Sequence, residues 1–211
     1  MVEPTASFAT LSRTTDGGRS WRLVRGDLPL SGVVRFRTDR EGWLTSTISF
    51  PASLYETRDG GRTFQARKVP RPRRTRGPAV YERPIFFGRS GVLATRWVRI
   101  GGRPTLAAFY RTSNGGGTWA LASTLRFGAA SDLEAVSSRA WWVASRDAVY
   151  PTTSAGKRWR RRALHIGFRP LQVSLTPVDA RTAVLRTYNE PNRTRWFLTH
   201  DGGASFKPFK P

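Results

Sequence analysis

The stretch Thr57-Arg58-Asp59-Gly60-Gly61-Arg62-Thr63-Phe64 decides the fold. Its short acidic third residue is placed to accept hydrogen bonds from backbone N–H groups just ahead of it, as in an Asx turn. The glycine pair takes positive φ without steric cost and closes a tight hairpin. The leading and seventh-place hydroxyls can bond across the turn, and the closing aromatic enters the next strand facing a core. Such a unit satisfies its own polar groups, so Asp59 reads as a turn-former rather than a catalytic acid.

The unit occurs five times. Besides Asp59, Gly61 and Phe64, the copies place Asp16, Gly18 and Trp21 in residues 14–21, and Asn114, Gly116 and Trp119 in residues 112–119. They place Ser154, Gly156 and Trp159 in residues 152–159, and Asp201, Gly203 and Phe206 in residues 199–206. Threonine leads every copy, and the third places stand 43, 55, 40 and 47 residues apart. A period of about 40–50 residues indicates propeller blades or another repeat array. The fourth copy departs from the pattern, with Ser154, Ala155 and Arg158 where Asp, Gly and Ser or Thr stand elsewhere. A looser turn is expected there.

A second pattern fills the intervals. Asp39-Arg40-Glu41-Gly42-Trp43-Leu44, Gly88-Arg89-Ser90-Gly91-Val92-Leu93, Ser137-Ser138-Arg139-Ala140-Trp141-Trp142 and Asp179-Ala180-Arg181-Thr182-Ala183-Val184 each read as a turn and then an apolar strand. A strand-like run precedes each of them. The unit is therefore strand A, short turn, strand B, loop, strand C, glycine turn, strand D, and four strands make a propeller blade. The fold expected is all-β, a propeller of about five blades of four antiparallel strands, forming one domain over 1–211. A partial blade covers 1–28, and whole blades cover about 29–70, 71–126, 127–165 and 166–211. The first blade holds only strands C (residues 7–13) and D (residues 21–25). Such a half-blade leaves an open sheet edge, which invites a partner or self-association. The single short helix candidate is residues 131–137.

The repeated turn resembles the Asp-box, or BNR repeat, of sialidases, sortilin-type receptors and photosystem II assembly-factor-like propellers. The Gly-Trp after an acidic turn is most similar to the last group and to related bacterial propellers. The resemblance covers nearly the whole chain. It implies a binding or scaffolding propeller and an extracytoplasmic setting, although residues 1–10 lack the basic start and apolar run of a signal peptide.

Charge is the strongest compositional feature. Thirty-six basic residues, all but four of them arginine, face 14 acidic ones for a formal net charge of +22. Two explanations stay open: a polyanionic partner such as nucleic acid, an acidic polysaccharide or an anionic lipid surface, or the arginine preference of a GC-rich genome. The absence of cysteine excludes disulfides, a thiol nucleophile and cysteine–zinc sites. No apolar stretch is long enough to span a bilayer.

Binding residues belong on variable loops of a rigid scaffold. Three such loops, residues 69–80, 98–104 and 188–194, carry Arg71, Arg73, Arg74, Arg76, Arg99, Arg103 and Arg193, with Arg195 directly after the last. They are the candidate basic face for an anionic or protein partner. The densest charge run, Lys157-Arg158-Trp159-Arg160-Arg161-Arg162, lies on the fourth turn and the strand after it. Strand alternation places Trp159 and Arg161 on one side and Arg160 and Arg162 on the other. That run keeps a nucleic-acid-binding reading open.

Sialidase resemblance raises an enzyme alternative, a sialidase-like glycoside hydrolase or a degenerate relative. It would need convergent carboxylates, and with the turn aspartates set aside the possible acids on the variable face are Asp27, Glu82, Asp132, Glu134, Asp147 and Glu190. The Phe/Tyr-Arg-Ile-Pro motif of sialidases is missing; Tyr81-Glu82-Arg83-Pro84-Ile85 is a scrambled echo of it. The reading therefore leans away from catalysis. No cofactor or metal is implied, since His165 and His200 are isolated and the Gly-Gly pairs follow a hairpin pattern rather than a phosphate loop.

Overall fold

The computed structural model describes residues 9–46, 54–73, 75, 79–97, 105–127, 132–189 and 193–211. Nineteen strands and no helix lie among them, and no helix is long and apolar enough to cross a membrane. The first sheet pairs β1 (Leu11–Arg13) with β2 (Arg22–Arg25). The second runs β3 (Val33–Phe36), β4 (Gly42–Thr45), β5 (Leu54–Thr57) and β6 (Gln65–Arg67) in sequence order. The third contains β7 (Ala79–Tyr81), β8 (Ile85–Phe87), β9 (Ser90–Trp97), β10 (Thr105–Thr112) and β11 (Ala120–Phe127). The fourth orders β12 (Asp132–Ala135), β13 (Trp141–Ala144), β14 (Ala148–Thr152) and β15 (Arg162–Ala163). The fifth orders β16 (Gln172–Pro177), β17 (Ala183–Asn189), β18 (Arg193–Thr199) and β19 (Lys207–Phe209).

Every pairing is antiparallel between neighbours, which is what short strands joined by hairpin turns form. The third sheet has a split first strand: Ala79 lies opposite Trp97 and Ile85 opposite Val92 on the same strand β9. The interruption falls at Glu82-Arg83-Pro84, where proline has no N–H for the ladder. Within the helix candidate at residues 131–137, Asp132–Ala135 instead form β12, whose Leu133 and Glu134 lie opposite Val143 and Trp142 in the ladder; residue 131 lies outside the described residues. A segment this short gains more from edge pairing than from an isolated helical turn.

The core is a series of layers. Leu28, Leu30 and Leu44 pack with Leu11 and Phe64 between the first and second sheets. Trp43 and Leu54 meet Leu93, Tyr110 and Trp119 between the second and third. Phe109 meets Trp141 between the third and fourth, and Trp142 and Val149 meet Leu175 and Leu185 between the fourth and fifth. Interior sheets are therefore apolar on both faces, and every residue of β4, β13 and β14 is buried.

Closing aromatics lock the layers. Phe64, Trp119, Trp159 and Phe206 each join the cluster shared with the preceding sheet. Trp21 is 64% exposed, against 7% for Trp119. Among the described residues no sheet precedes the one that carries Trp21.

Candidate functional site: basic clefts along the turn rim

Each turn is a closed hydrogen-bond circuit. Asp59 Oδ1 accepts from the Thr63 amide at 2.9 Å and Oδ2 from the Thr63 hydroxyl at 2.6 Å, while the Gly61 amide donates to Thr57 Oγ1 at 2.8 Å. Asp16 and Asp201 repeat this with Ser20 and Ser205. Fourth- and fifth-place residues have positive φ throughout, from 72° and 92° at Gly17 and Gly18 to 74° and 83° at Gly202 and Gly203. Burial pushes the Asp59 carboxyl up, but the Thr63 and Thr57 bonds outweigh it and hold it at about 2. The Ser20 and Ser205 hydroxyls hold Asp16 and Asp201 well below the usual carboxylate range.

The fourth turn is looser. Gly156 donates to Thr152 Oγ1 at 3.3 Å, and the Ser154 hydroxyl meets the Thr152 hydroxyl at 3.3 Å and the Arg158 backbone, with no side-chain partner at the seventh place. Ala155 adopts φ 55°, alone among the described non-glycine residues in the left-handed region.

The turn between the first two strands of a sheet clasps this unit. The N–H of Gly60, Gly115, Ala155 and Gly202 donates to the carbonyl of Arg40, Arg89, Arg139 and Arg181 respectively, at 2.8 Å in every case. Four arginines thus occupy one register position on the rim. The signal was in the sequence, in an arginine one or two residues before each of β4, β9, β13 and β17, but the carbonyl role that aligns them is invisible there.

Three clefts open along the rim. One, of about 410 Å³ between the first and second sheets, is lined by Arg13, Arg22, Arg40 and Arg62 together with Asp39 and Asp59. Another, of about 540 Å³ between the third and fourth, holds Arg111, Arg139 and Lys157. The last, of about 500 Å³ between the fourth and fifth, holds Arg158, Arg160, Arg162 and Arg181. Ser154 lines both of the latter two.

The loop arginines are distributed differently. Arg71 and Arg73 are exposed after β6. Arg74, Arg76, Arg99 and Arg103 lie outside the described residues. Arg193 and Arg195 stand on β18 rather than on a loop, because the hairpin ladder runs out to the Asn189–Arg193 pair. The Arg195 guanidinium sits 4.7 Å over the Phe168 ring.

Carboxylates outside the turns have basic partners. Arg25 holds Asp27, Arg96 holds Glu82, Arg83 reaches Glu134 across to the fourth sheet, and Arg161 holds Asp147. The Ser145 hydroxyl and then Arg161 keep Asp147 below its ordinary value. Glu56, 4% exposed, is held between Arg58 and Arg67. Glu190 and the side chain of Asp132 lie outside the described residues. Among the described residues no group of three or more His, Cys, Asp or Glu side chains could hold a metal ion.

The sequence matches no family model and no curated protein. Solved structures do resemble it. YCF48 bound to a D1 peptide matches with a TM-score of 0.56 and 17% identity, over 85% of this chain and 53% of that one. An ancestral GH74 enzyme matches with a TM-score of 0.61 and 12% identity, over 99% of this chain and 30% of that one. A PL25 ulvan lyase matches with a TM-score of 0.57 and 14% identity, over 90% of this chain and 57% of that one. The chain thus spans about half or less of these proteins, and at such identities the likeness speaks for the fold alone: an all-β, propeller-like stack of antiparallel sheets.

Proposed function

We propose that this chain is a non-catalytic binding or scaffolding module, built of Asp-box blades, that recognises an anionic partner. The observation that carries this reading is the division of charge. Most described carboxylates are taken up by turn hydroxyls, turn amides or arginines, while the rim clefts gather more basic side chains than acidic ones. With a net charge of +22, most arginines have no acid to meet. Such a surface concentrates polyanions by long-range attraction and holds them through planar, bidentate guanidinium contacts. YCF48, a structural neighbour, is described with a bound D1 peptide, which suits a scaffold with a protein partner. Blade limits of about 29–70, 71–126, 127–165 and 166–211, after a partial blade at 1–28, follow the same reading.

A second reading is favoured by other neighbours, which include an ancestral GH74 enzyme, an ulvan lyase and an arabinanase. It makes this chain a sialidase-like glycoside hydrolase or a degenerate relative, with Asp147 and Glu190 as the carboxylates to test. A panel of chromogenic glycosides, a sialoside included, separates the two. The module reading expects no turnover above buffer, together with retention on a polyanion resin. Hydrolysis that disappears in Asp147→Asn or Glu190→Gln would establish the enzyme instead.

A further inference from the structure

Where the turn gives up its carboxylate, the cleft beside it gains charge. Asp16, Asp59 and Asp201 each place an anion within their own turn; the fourth turn has Ser154 at that position and Arg158 where the clasping hydroxyl would be. The same turn walls two clefts and begins the densest basic run of the chain. Arg158, Arg160 and Arg162 alternate along it and line the cleft toward the fifth sheet, where Arg181 faces them. None of the four has an ion-pair partner among the described residues. The Arg162 Nε is buried without a hydrogen-bond acceptor among them. Asp201 also lines this cleft, but its carboxylate is occupied by Ser205 and Thr199.

We propose that the cleft between the fourth turn and the Arg181 turn binds an anionic group of a sulfated acidic polysaccharide. The proposal rests on the anionic-partner reading and locates it. Four guanidiniums around one cleft match tetrahedral sulfate and planar carboxylate oxygens. The Thr153 and Ser154 hydroxyls on the same wall supply neutral partners for sugar hydroxyls. Nucleic acid fits less well. Bases of a single strand stack on exposed aromatics, and Trp159, the aromatic of this run, is turned into the core against Phe109 and Trp141. A duplex groove is read by a helix or a projecting β-ribbon, and the cleft is walled by tight turns.

The test is calorimetric titration of the whole chain with a heparin octasaccharide at low salt. Three variants are compared: Arg158→Ser/Arg160→Ser/Arg181→Ser, Arg71→Ser/Arg73→Ser, and Ser154→Asp. The first should lose about tenfold or more in affinity and the second less than about twofold, as expected when direct anion contacts are removed at one site only. Ser154→Asp returns a carboxylate to the turn, so it should weaken binding severalfold while leaving the thermal unfolding midpoint unchanged or raised. That variant decides the matter if the triple variant fails to fold. Equal loss per arginine in both clusters, or full affinity in Ser154→Asp, would overturn the site. Tighter binding to duplex DNA than to heparin would overturn the polysaccharide choice and leave the anionic reading standing. Failure of the unsubstituted chain to bind any polyanion would remove that reading itself.

Discussion

The fourth and fifth turns occupy equivalent places in adjacent sheets and spend their side chains in opposite ways. In the fifth, Asp201 collects the Thr199 hydroxyl and both donors of Ser205, and Gly202 and Gly203 carry the positive φ. In the fourth, Ser154 meets the Thr152 hydroxyl at 3.3 Å and otherwise only the Arg158 backbone, Ala155 bears a strained φ, and the basic side chains line a cleft. Both are held by the same 2.8 Å bond to a rim arginine carbonyl. The difference teaches that the backbone clasp and the buried glycine keep the hairpin, while the carboxylate circuit can be released without losing it.

The largest effect should follow from the part both turns share. A Cβ at Gly203 would come within 2.6 Å of Val149 Cγ2, and at Gly156 within 2.7 Å of Trp141 Cζ3, both at positive φ. Gly203→Val and Gly156→Val should each destabilise by about 2–4 kcal/mol, measured by urea denaturation. At Gly18 a Cβ meets nothing nearer than Trp21 at 3.9 Å. Gly18→Val should therefore cost only the backbone strain, about 1–2 kcal/mol. Equal costs at all three would mean that interlayer packing of the turns is not what holds them.

Next is the carboxylate circuit. Asp201→Ala should cost about 1 kcal/mol, a modest figure because the circuit faces water, and Ser154→Ala only a few tenths. Similar losses at both would erase the distinction between the turns.

The circuit also carries a pH signature. Asp59 sits at about 2 against an ordinary 3.8, so its contribution is complete above pH 3.8 and is lost as pH falls towards 2. Over that interval the unfolding temperature of Asp59→Asn should fall less steeply than that of the unsubstituted chain. Parallel curves would show that the turn is not the source.

The smallest effect is relief of strain. Ala155→Gly should be neutral or stabilise by up to about 1 kcal/mol, since φ 55° suits glycine. The same substitution at an exposed alanine of ordinary backbone, such as Ala120 on β11, should destabilise.

Much of this organisation was legible in the residues. The Thr-x-Asp-Gly-Gly signature places the hairpins because its bonding is local, within four residues of Thr57 or Thr199. The weakness of the fourth turn was readable from Ser154 and Ala155 alone. What is set by long-range geometry was not. Residues 131–137 also read as a short helix, yet Asp132–Ala135 pair with β13 because the sheet offers an edge. The split of β7 from β8 depends on the length of β9 as well as on Pro84. Sequence reasoning sought the binding face on the variable loops around Arg71 and Arg193. The clefts instead lie on the regular rim, where Arg160 and Arg181 are brought together from different sheets. A cleft between layers is a property of stacking, and no single segment encodes it.

The proposed module binds an acidic polymer and leaves it intact. Size-exclusion chromatography with light scattering, run on a mixture of the protein and a sulfated uronic-acid polysaccharide, reads both halves at once. The account predicts co-elution at low salt, dissociation as salt rises, and unchanged polymer mass after prolonged incubation. Separate elution at every salt concentration, or a falling polymer mass, would contradict it.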